Sequence, residues 1–347
     1  MKKFASITLF VTVFGCSTDA EDPLPSDTAG GTDSGDTSAD VDTEPPPPFA
    51  MSLITEARPG GAFLSVWSDR SGSAAAPEPV WFAGGTINRS AVLRYADGQW
   101  DVMDPGLKKR LWWVTGFPDG TVFVVGETGV AARLDGEAWT PMETQSPGTT
   151  LYGVWGPAKD DVWAVGGPSV LATDGVERVG DVVLHYDGTA WTHVDVPALK
   201  GRPTSESNDL FKVWGTSKDH AIIVGSSGLA LHWDGSTWRE EPTGDTAGPL
   251  YTVTGRAADD AWAVGGFNES RVIHWDGTTW QSVPTSDYAA LTTPGIFTAP
   301  GIEAVYTSGS DGYIDRLLKG TWSDTDPISN SGVLSVGLDG GGRRWAA

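Results

Sequence analysis

The sequence is poor in cysteine and in basic residues. Cys16 is the only cysteine among 347 residues, so no disulfide bond can form within the chain. Lys and Arg number 23 against 45 Asp and Glu, which gives a net charge of −22 at pH 7. Because a surface of that sign repels phosphate backbones, we expect no nucleic-acid partner.

Long apolar runs are also missing. The short apolar run at the N-terminus is typical of an export signal. Lys2 and Lys3 supply a positively charged start, and residues 4–14 supply a short apolar segment. This segment is well short of the roughly 20 residues that a membrane-spanning helix needs. We therefore expect the N-terminus to direct export rather than to form a transmembrane helix.

The end of this segment resembles a bacterial lipobox. Residues 13–16 read Val-Phe-Gly-Cys, although Val and Phe replace the commoner Leu and small residue. The resemblance implies that residues 1–15 are a signal peptide and that Cys16 carries lipid, which makes the membrane a partner. Ser17 favours the outer membrane of a bacterial cell envelope over the inner one. The alternative is an ordinary secretory signal with an incidental cysteine.

Residues 16–48 differ in composition from the rest of the chain. After Cys16 the segment contains nine Asp or Glu and no Lys or Arg, and it ends in four prolines at 45–48. So acidic and apolar-poor a segment cannot bury enough surface to offset its chain entropy. We expect a lipidated cysteine followed by a disordered tether, and the Asp spacing does not fit a calcium-binding loop.

A repeat of about 40 residues runs through residues 49–347. Its clearest copy, residues 248–285, holds four short β-branched and aromatic runs, each ended by Gly, Pro or Asp-Gly. This is the pattern of a four-stranded meander, with the Asp-Gly pair as a tight turn before the fourth strand. A tryptophan opens that strand in six copies: Trp100, Trp139, Trp191, Trp238, Trp280 and Trp322.

The repeat predicts an all-β fold. We expect residues 49–347 to form a β-propeller of four-stranded antiparallel blades, with an open β-solenoid as the runner-up. Six copies and a partial copy after residue 333 favour seven blades, with six as the alternative. Strands from both termini, including residues 51–57, would close the ring and remove open sheet edges.

The end of each repeat resembles known propeller motifs. Its Asp-Gly-x-x-Trp is similar to the Asp-box (BNR-type) repeat and to Trp-rich repeats of bacterial exported propellers, with kelch and WD40 propellers as broader comparisons. It is one residue shorter than the Asp-box, and the chain lacks the upstream Gly-His of WD40 repeats. The resemblance implies the architecture and no particular activity.

Residues that could carry chemistry have simpler interpretations. His185, His232 and His274 occupy one register in consecutive repeats, but third strands of adjacent blades lie too far apart for zinc ligands at about 2.1 Å. The chain has no Gly-x-Ser-x-Gly motif and no Gly-rich phosphate loop. We predict no catalytic residue, no metal and no cofactor, and we assign the repeated tryptophans to the core.

Two long loops carry the predicted binding residues. In a meander blade, second-to-third loops and blade-to-blade loops emerge on one face, and residues 167–181 and 197–209 are long insertions of these two kinds. Their polar members are the candidate binding residues: Asp174, Glu177, Arg178, Lys200, Arg202, Glu206 and Asn208.

These observations predict a propeller lipoprotein, anchored in the cell envelope, that is a binding or scaffold module for a protein or polysaccharide partner. A glycan-directed hydrolase or lyase with an axial active site is one alternative, and a purely structural envelope module is the other. Carboxylates and arginines that converge on a channel mouth would favour the enzyme. A molecule without a concave or charged patch on either face would favour the structural module.

Overall fold

The chain is all-β in the residues that the structure describes. The computed structural model describes residues 13–15, 52–55, 61–70, 78–168, 182–196, 199, 209–244, 248–266, 270–285, 295–309, 312–324, 333–339 and 343–347. Helical residues in these ranges form short 3-10 turns such as Glu127–Gly129 and Ser226–Gly228. None of the helices there has the length and apolarity needed to cross a bilayer.

Six four-stranded antiparallel sheets follow one another along the chain, and we number them blades 1–6. Within each blade, strands that are adjacent in sequence pair with each other, as in a meander. The strands are Ala62–Ser68, Val80–Thr86, Arg89–Ala96 and Gln99–Met103 in blade 1; Leu111–Gly116, Val122–Gly126, Ala131–Asp135 and Ala138–Met142 in blade 2; Thr149–Ala158, Asp161–Pro168, Val182–Tyr186 and Trp191–His193 in blade 3; Leu210–Ser217, His220–Gly225, Ala230–Trp233 and Trp238–Glu240 in blade 4; Leu250–Ala257, Asp260–Gly265, Arg271–Trp275 and Trp280–Val283 in blade 5; and Gly295–Phe297, Val305–Ser308, Ile314–Leu318 and Thr321–Asp324 in blade 6.

A smaller sheet joins strands from both ends of the chain, and we call it the closing sheet. Its order is Ser52–Thr55, Val13–Gly15, Arg344–Ala346 and Val336–Leu338. All three pairings are antiparallel. The predicted closure by strands from both termini is therefore present, with Ser52–Thr55 as the outermost strand.

Buried apolar clusters join these sheets into a ring. One cluster lies between each pair of successive blades, one between blade 6 and the closing sheet, and one between the closing sheet and blade 1. In the last cluster the ring of Trp345 lies 5.0 Å from Tyr95 and 6.1 Å from Phe82, between centroids. The ring is closed, and the predicted all-β propeller is confirmed, as six blades plus the small closing sheet.

The fourth-strand tryptophans pack between neighbouring blades. Trp191, Trp238 and Trp280 are buried, and their equivalents in blades 1, 2 and 6 are partly exposed. The ring of Trp238 meets Trp163 of the preceding blade edge to face, with 5.4 Å between the centroids. Aromatic contacts of this kind add to the stabilisation from buried area. The repeated tryptophan therefore stabilises the contact between adjacent blades.

The Asp-Gly pairs form turns in two ways. In blade 1, Asp97 and Gly98 both have positive φ, 51° and 75°, as the predicted two-residue turn requires. In blade 5 the loop is longer, and Asp276 Oδ1 accepts hydrogen bonds from the backbone nitrogens of Thr278 and Thr279 at 2.9 and 2.8 Å. These aspartates shape the turns through their own side chains.

Candidate functional site

The first strands of the blades surround the propeller axis, where two cavities lie. One has a volume of about 340 Å³ and lies near the starts of the first strands. The other, of about 260 Å³, lies further along the same strands. We call the first the aromatic cavity, and the described residues that line it are Leu64, Trp112, Trp113, Tyr152, Phe211, Lys212, Tyr251, Thr252 and Leu334.

The aromatic cavity lies on the face from which second-to-third loops and blade-to-blade connections emerge. The start of a first strand is hydrogen-bonded to the end of the second strand in the same blade. The backbone nitrogen of Glu127 donates to the carbonyl of Arg110 at 3.0 Å, and that of Ser226 donates to the carbonyl of Asp209 at 2.9 Å. The candidate binding residues that were predicted from the sequence belong to second-to-third loops and blade-to-blade connections, and we call this face the loop face.

A β-bulge recurs at one position of the first strand in blades 1–5. In each of these blades the pairing between the first and second strands skips one residue of the first strand. The extra residue of a bulge leaves the ladder, and its side chain points in a new direction. All five extra residues line the aromatic cavity: Leu64, Trp112, Tyr152, Phe211 and Tyr251.

Four of these side chains form a continuous arc of rings. The centroid of Tyr152 lies 5.0 Å from Trp112 and 5.4 Å from Phe211, with interplanar angles of 83° and 66°. Phe211 and Tyr251 follow at 5.5 Å. Edge-to-face contacts fix the orientation of neighbouring rings, and all four residues remain partly exposed. The loop face thus presents an ordered apolar wall around the propeller axis.

Lys212 lies at the inner end of this wall. Its side chain is 8% exposed, its Nζ donates to the carbonyl of Tyr152 at 2.8 Å, and Nζ lies 4.0 Å from the ring centroid of Trp113. Burial lowers the pKa of the Lys212 ammonium to about 7, because desolvation disfavours the charged form. No carboxylate among the described residues offsets this effect.

The close approach of blades 3 and 4 beside Lys212 depends on a glycine. A Cβ on Gly153 would lie 2.9 Å from the carbonyl oxygen of Phe211 and 3.0 Å from Cα of Lys212. Any side chain there would push the two first strands apart. Gly153 therefore allows the Lys212 strand to lie close enough for Nζ to reach the carbonyl of Tyr152.

Three other titratable groups lie near the arc. Two are phenols with raised pKa values, and the third is a carboxyl group beside an arginine. Burial raises the pKa of the phenols of Tyr152 and Tyr251, and the charge of Asp209 adds to the effect at Tyr152. Glu127 is buried 3.9 Å from a guanidinium nitrogen of Arg110, and burial raises its pKa. The phenols therefore remain hydrogen-bond donors at physiological pH.

The second cavity offers a different surface. Trp67, Trp155 and Trp214 contribute to its wall, together with Arg70, whose Nη1 donates to the carbonyl of Pro300 at 3.4 Å. Among the described residues, neither cavity is lined by Asp or Glu. The convergence of carboxylates and arginines that would favour a glycan hydrolase or lyase is therefore not found in the described lining.

Two of the three register histidines pair with aspartates of the second strands, whereas His232 Nδ1 lies 2.9 Å from Nη2 of Arg239 and 3.8 Å from Glu241. His185 Nε2 lies 2.8 Å from Asp161, and His274 Nε2 lies 2.9 Å from Asp260. Asp161 and Asp260 are the first residues of the second strands in blades 3 and 5. The described ranges contain no group of three or more His, Cys, Asp or Glu that could hold a metal ion.

The sequence-predicted site residues lie outside the described ranges. Asp174, Glu177 and Arg178 fall in residues 169–181, and Lys200, Arg202, Glu206 and Asn208 fall in residues 200–208. The lipidation site Cys16 is also outside. These assignments stay predictions.

Sequence reasoning missed the aromatic arc and Lys212. A signal was present, because the residue after the first leucine of the first strand is aromatic in four consecutive repeats. At the next position, Lys212 stands where blades 1, 3 and 5 have Ser, Gly and Thr and blade 2 has Trp113. A single charged residue at a position that is uncharged in blades 1, 2, 3 and 5 indicates a role specific to blade 4.

Comparisons with known proteins support the fold. No protein-family model and no curated protein matches the chain. Among solved structures, the chain is similar to YCF48 from Cyanidioschyzon merolae, with a TM-score of 0.58 and 15% sequence identity, over 84% of this chain and 97% of that chain. At this identity the similarity shows a shared β-propeller fold and carries no information about a ligand.

Proposed function

We propose that this chain is a binding module whose aromatic cavity holds a segment of a protein partner on the loop face. The arc of four partly exposed rings from Trp112 to Tyr251 carries the proposal. Aromatic side chains bury a large area at low entropic cost and dominate many interfaces. Five bulges at one repeat position direct side chains to this cavity. A purely structural module would gain more from burying these rings between blades.

The wall of the aromatic cavity favours a polypeptide over a polysaccharide. Apart from Lys212 and Thr252, its described side chains are aromatic or aliphatic, and two of the rings carry phenol groups. A sugar ring presents several hydroxyls, and each one left without a partner on burial lowers the affinity. Apolar side chains of a polypeptide have no such requirement, so they match the wall better.

A binding experiment distinguishes a protein partner from a polysaccharide partner and from a purely structural role. Full-length wild type, Tyr251→Ala and Trp322→Ala would be used to capture partners from envelope extract, with photo-crosslinking at position 64. We expect one protein to be captured by wild type and by Trp322→Ala, whose altered side chain lies on the outer strand of blade 6, and to be lost with Tyr251→Ala. Capture that Tyr251→Ala leaves unchanged, or capture of a polysaccharide alone, would contradict the proposal.

We also propose that the chain is a lipoprotein held in a bacterial cell envelope, in the outer membrane, through acyl chains on Cys16. The support is the charged start, the short apolar segment and the lipobox-like residues 13–16. The acidic residues 17–48 would then give the propeller reach from the membrane surface. Two acyl chains or more would make the attachment lasting.

This anchor has a consequence for the closing sheet. Cleavage before Cys16 removes the strand Val13–Gly15, which pairs with both Ser52–Thr55 and Arg344–Ala346. The place beside Arg344–Ala346 would then be open to Ser52–Thr55. Labelled palmitate and mass spectrometry of the N-terminus test the proposal. We expect a cleaved, acylated wild type and an unlabelled Cys16→Ser variant, and a mature wild type that retains residues 1–15 would overturn it.

A further inference from the structure

Lys212 is a buried cation with little compensation from the protein. An ammonium group has three donors, and one of them reaches the carbonyl of Tyr152 at 2.8 Å. The face of Trp113 at 4.0 Å adds a cation–π contact. A buried charge without an opposite charge is costly, and an apolar side chain of similar length would fill the same space. The position therefore suits a ligand that brings an anion.

The cavity beside Lys212 is suited to the terminal residue of a partner polypeptide. Trp113, Lys212 and Thr252 line both axial cavities, so they lie between the two. At about 340 Å³ the aromatic cavity is near the lower limit of the roughly 300–1,000 Å³ typical of ligand pockets. A polypeptide that passed through into the second cavity would have to displace these side chains, whereas a terminal residue needs only the aromatic cavity.

We infer that the aromatic cavity binds the C-terminal residue of a partner polypeptide, with an apolar last side chain against the arc and the terminal carboxylate at Nζ of Lys212. The inference rests on the proposed function and names the part of the partner that is recognised. The apolar wall and the single cation at its inner end complement an apolar residue that carries a carboxylate. Capture of terminal carboxylates is a recurring mode of peptide recognition.

Lys212 is also the group that would couple binding to pH. Tyr152 and Tyr251 are the titratable groups of the neighbouring first strands that line the aromatic cavity, and both phenols have raised pKa values. The carboxylates whose charges reach Tyr152 are Asp209 and Glu127. With its pKa near 7, Lys212 is charged in about half of the free molecules at neutral pH. Binding of a carboxylate would take up a proton in the other half.

A peptide array tests the inference with the full-length chain. Random-sequence hexapeptides would be fixed through their N-termini with free C-terminal carboxylates, beside an identical array with C-terminal amides. We expect binding to peptides that end in Phe, Leu, Ile or Val, and at least a tenfold loss on amidation, which is about 1.4 kcal/mol. Equal binding to both arrays, or none to either, would overturn the inference.

Variants then test whether Lys212 is the residue that binds the terminal carboxylate of the peptide. For one array peptide, calorimetry should show that Lys212→Met lowers the affinity of the acid to that of the amide and leaves the amide unchanged. The matched control is Lys218→Met, the same substitution at an exposed lysine of blade 4 that lines neither cavity, and it should leave both affinities unchanged. Above about pH 7 the affinity of the acid for wild type should fall up to tenfold per pH unit, and that of the amide should stay constant. A pH-independent preference for the acid would overturn the role of Lys212.

Two outcomes separate this inference from the proposed function. If a captured partner is lost with Tyr251→Ala but binds Lys212→Met normally, the proposed function is supported and the inference that Lys212 binds a terminal carboxylate is wrong. If 3-phenylpropionate binds as tightly as the array peptide, the cavity recognises a small carboxylate and the assignment to a polypeptide end is wrong.

Discussion

The indole of Trp67 in blade 1 occupies the space where a side chain on Gly116 of blade 2 would begin. A Cβ on Gly116 would lie 2.6 Å from Cη2 of Trp67 and 2.9 Å from Cε3. The same contact recurs between Trp155 and Gly215, where the distance to Cη2 is also 2.6 Å. The tryptophan near the end of a first strand therefore packs on the glycine at the end of the next blade's first strand.

This contact predicts that Gly116→Ala is destabilising because of Trp67. Overpacking of this kind costs about 1–3 kcal/mol. Urea denaturation of wild type, Gly116→Ala, Trp67→Ala and the double variant forms a thermodynamic cycle. We expect Gly116→Ala to cost much less in the Trp67→Ala background, since the nearest atoms to the added Cβ all belong to Trp67. An equal cost in both backgrounds would show that the backbone, not the indole, rejects the methyl group.

A second prediction concerns closure of the ring at Trp345. This side chain is 1% exposed, packs against Phe82, Tyr95 and Trp100, and donates from Nε1 to Asp339 at 3.0 Å. Removal of so large a buried ring costs about 3–5 kcal/mol. We expect Trp345→Ala to lower the free energy of unfolding by that amount, measured by urea denaturation. Trp322→Ala, with a partly exposed ring, is the matched control, and similar losses in both variants would contradict a special role in closure.

The repeat was predictable from sequence because Gly, Pro or Asp-Gly recurs between its short β-branched and aromatic runs. In the clearest copy the second strand, Asp260–Gly265, ends at the expected glycine, whereas the first strand, Leu250–Ala257, continues two residues beyond Gly255. The closing strand Val13–Gly15 was not predicted, because it lies in the apolar segment that is typical of an export signal.

The sequence shows the recurring aromatic residue, but it does not predict that this residue lines a cavity, because a bulge interrupts the alternation of strand residues. Strict alternation places Leu210 and Lys212 on one side of the strand and Phe211 on the other. In the structure Leu210 is fully buried between blades, whereas Phe211 and Lys212 both line the cavity. The extra residue resets the side to which each following residue points. Neighbouring first strands then decide what surrounds Lys212, and these contacts are long-range.

A third prediction follows from the turn aspartate of blade 4. Asp234 Oδ1 accepts hydrogen bonds from the hydroxyl of Ser236 at 2.7 Å and from the backbone nitrogens of Ser236 and Thr237 at 3.0 Å. The Ser236 hydroxyl and these backbone donors lower the pKa of Asp234 to about 2. We expect Ser236→Ala to raise this pKa toward its usual value, measured by NMR titration. No change in the pKa would contradict the role of the hydroxyl.

The same aspartate should make stability depend on acid pH. A carboxylate whose pKa is lowered by folding stabilises the protein above its unfolded value of about 3.9, and that contribution is lost as the pH falls toward 2. Asp234→Asn keeps the acceptor but does not titrate, so the difference in Tm between wild type and this variant should shrink between about pH 5 and pH 2.5. Asp234→Ala should lower Tm more than Asp234→Asn at neutral pH, because it also removes the acceptor. A wild-type advantage that is constant with pH would show that Asp234 titrates alike in both states.

The last prediction tests the burial of Lys212 without any ligand. Its pKa is about 7 in the folded chain and about 10.4 in an unfolded chain. Between these values the unfolded state binds more protons, so the lysine destabilises the fold most below pH 7 and the stability of wild type rises with pH. Each pH unit of this window is worth up to about 1.4 kcal/mol. We expect Lys212→Met to be more stable than wild type in urea at about pH 7 and to lose most of that advantage by about pH 10. Because the other groups titrate alike in both proteins, a pH-independent difference would mean that Lys212 keeps its proton in the fold.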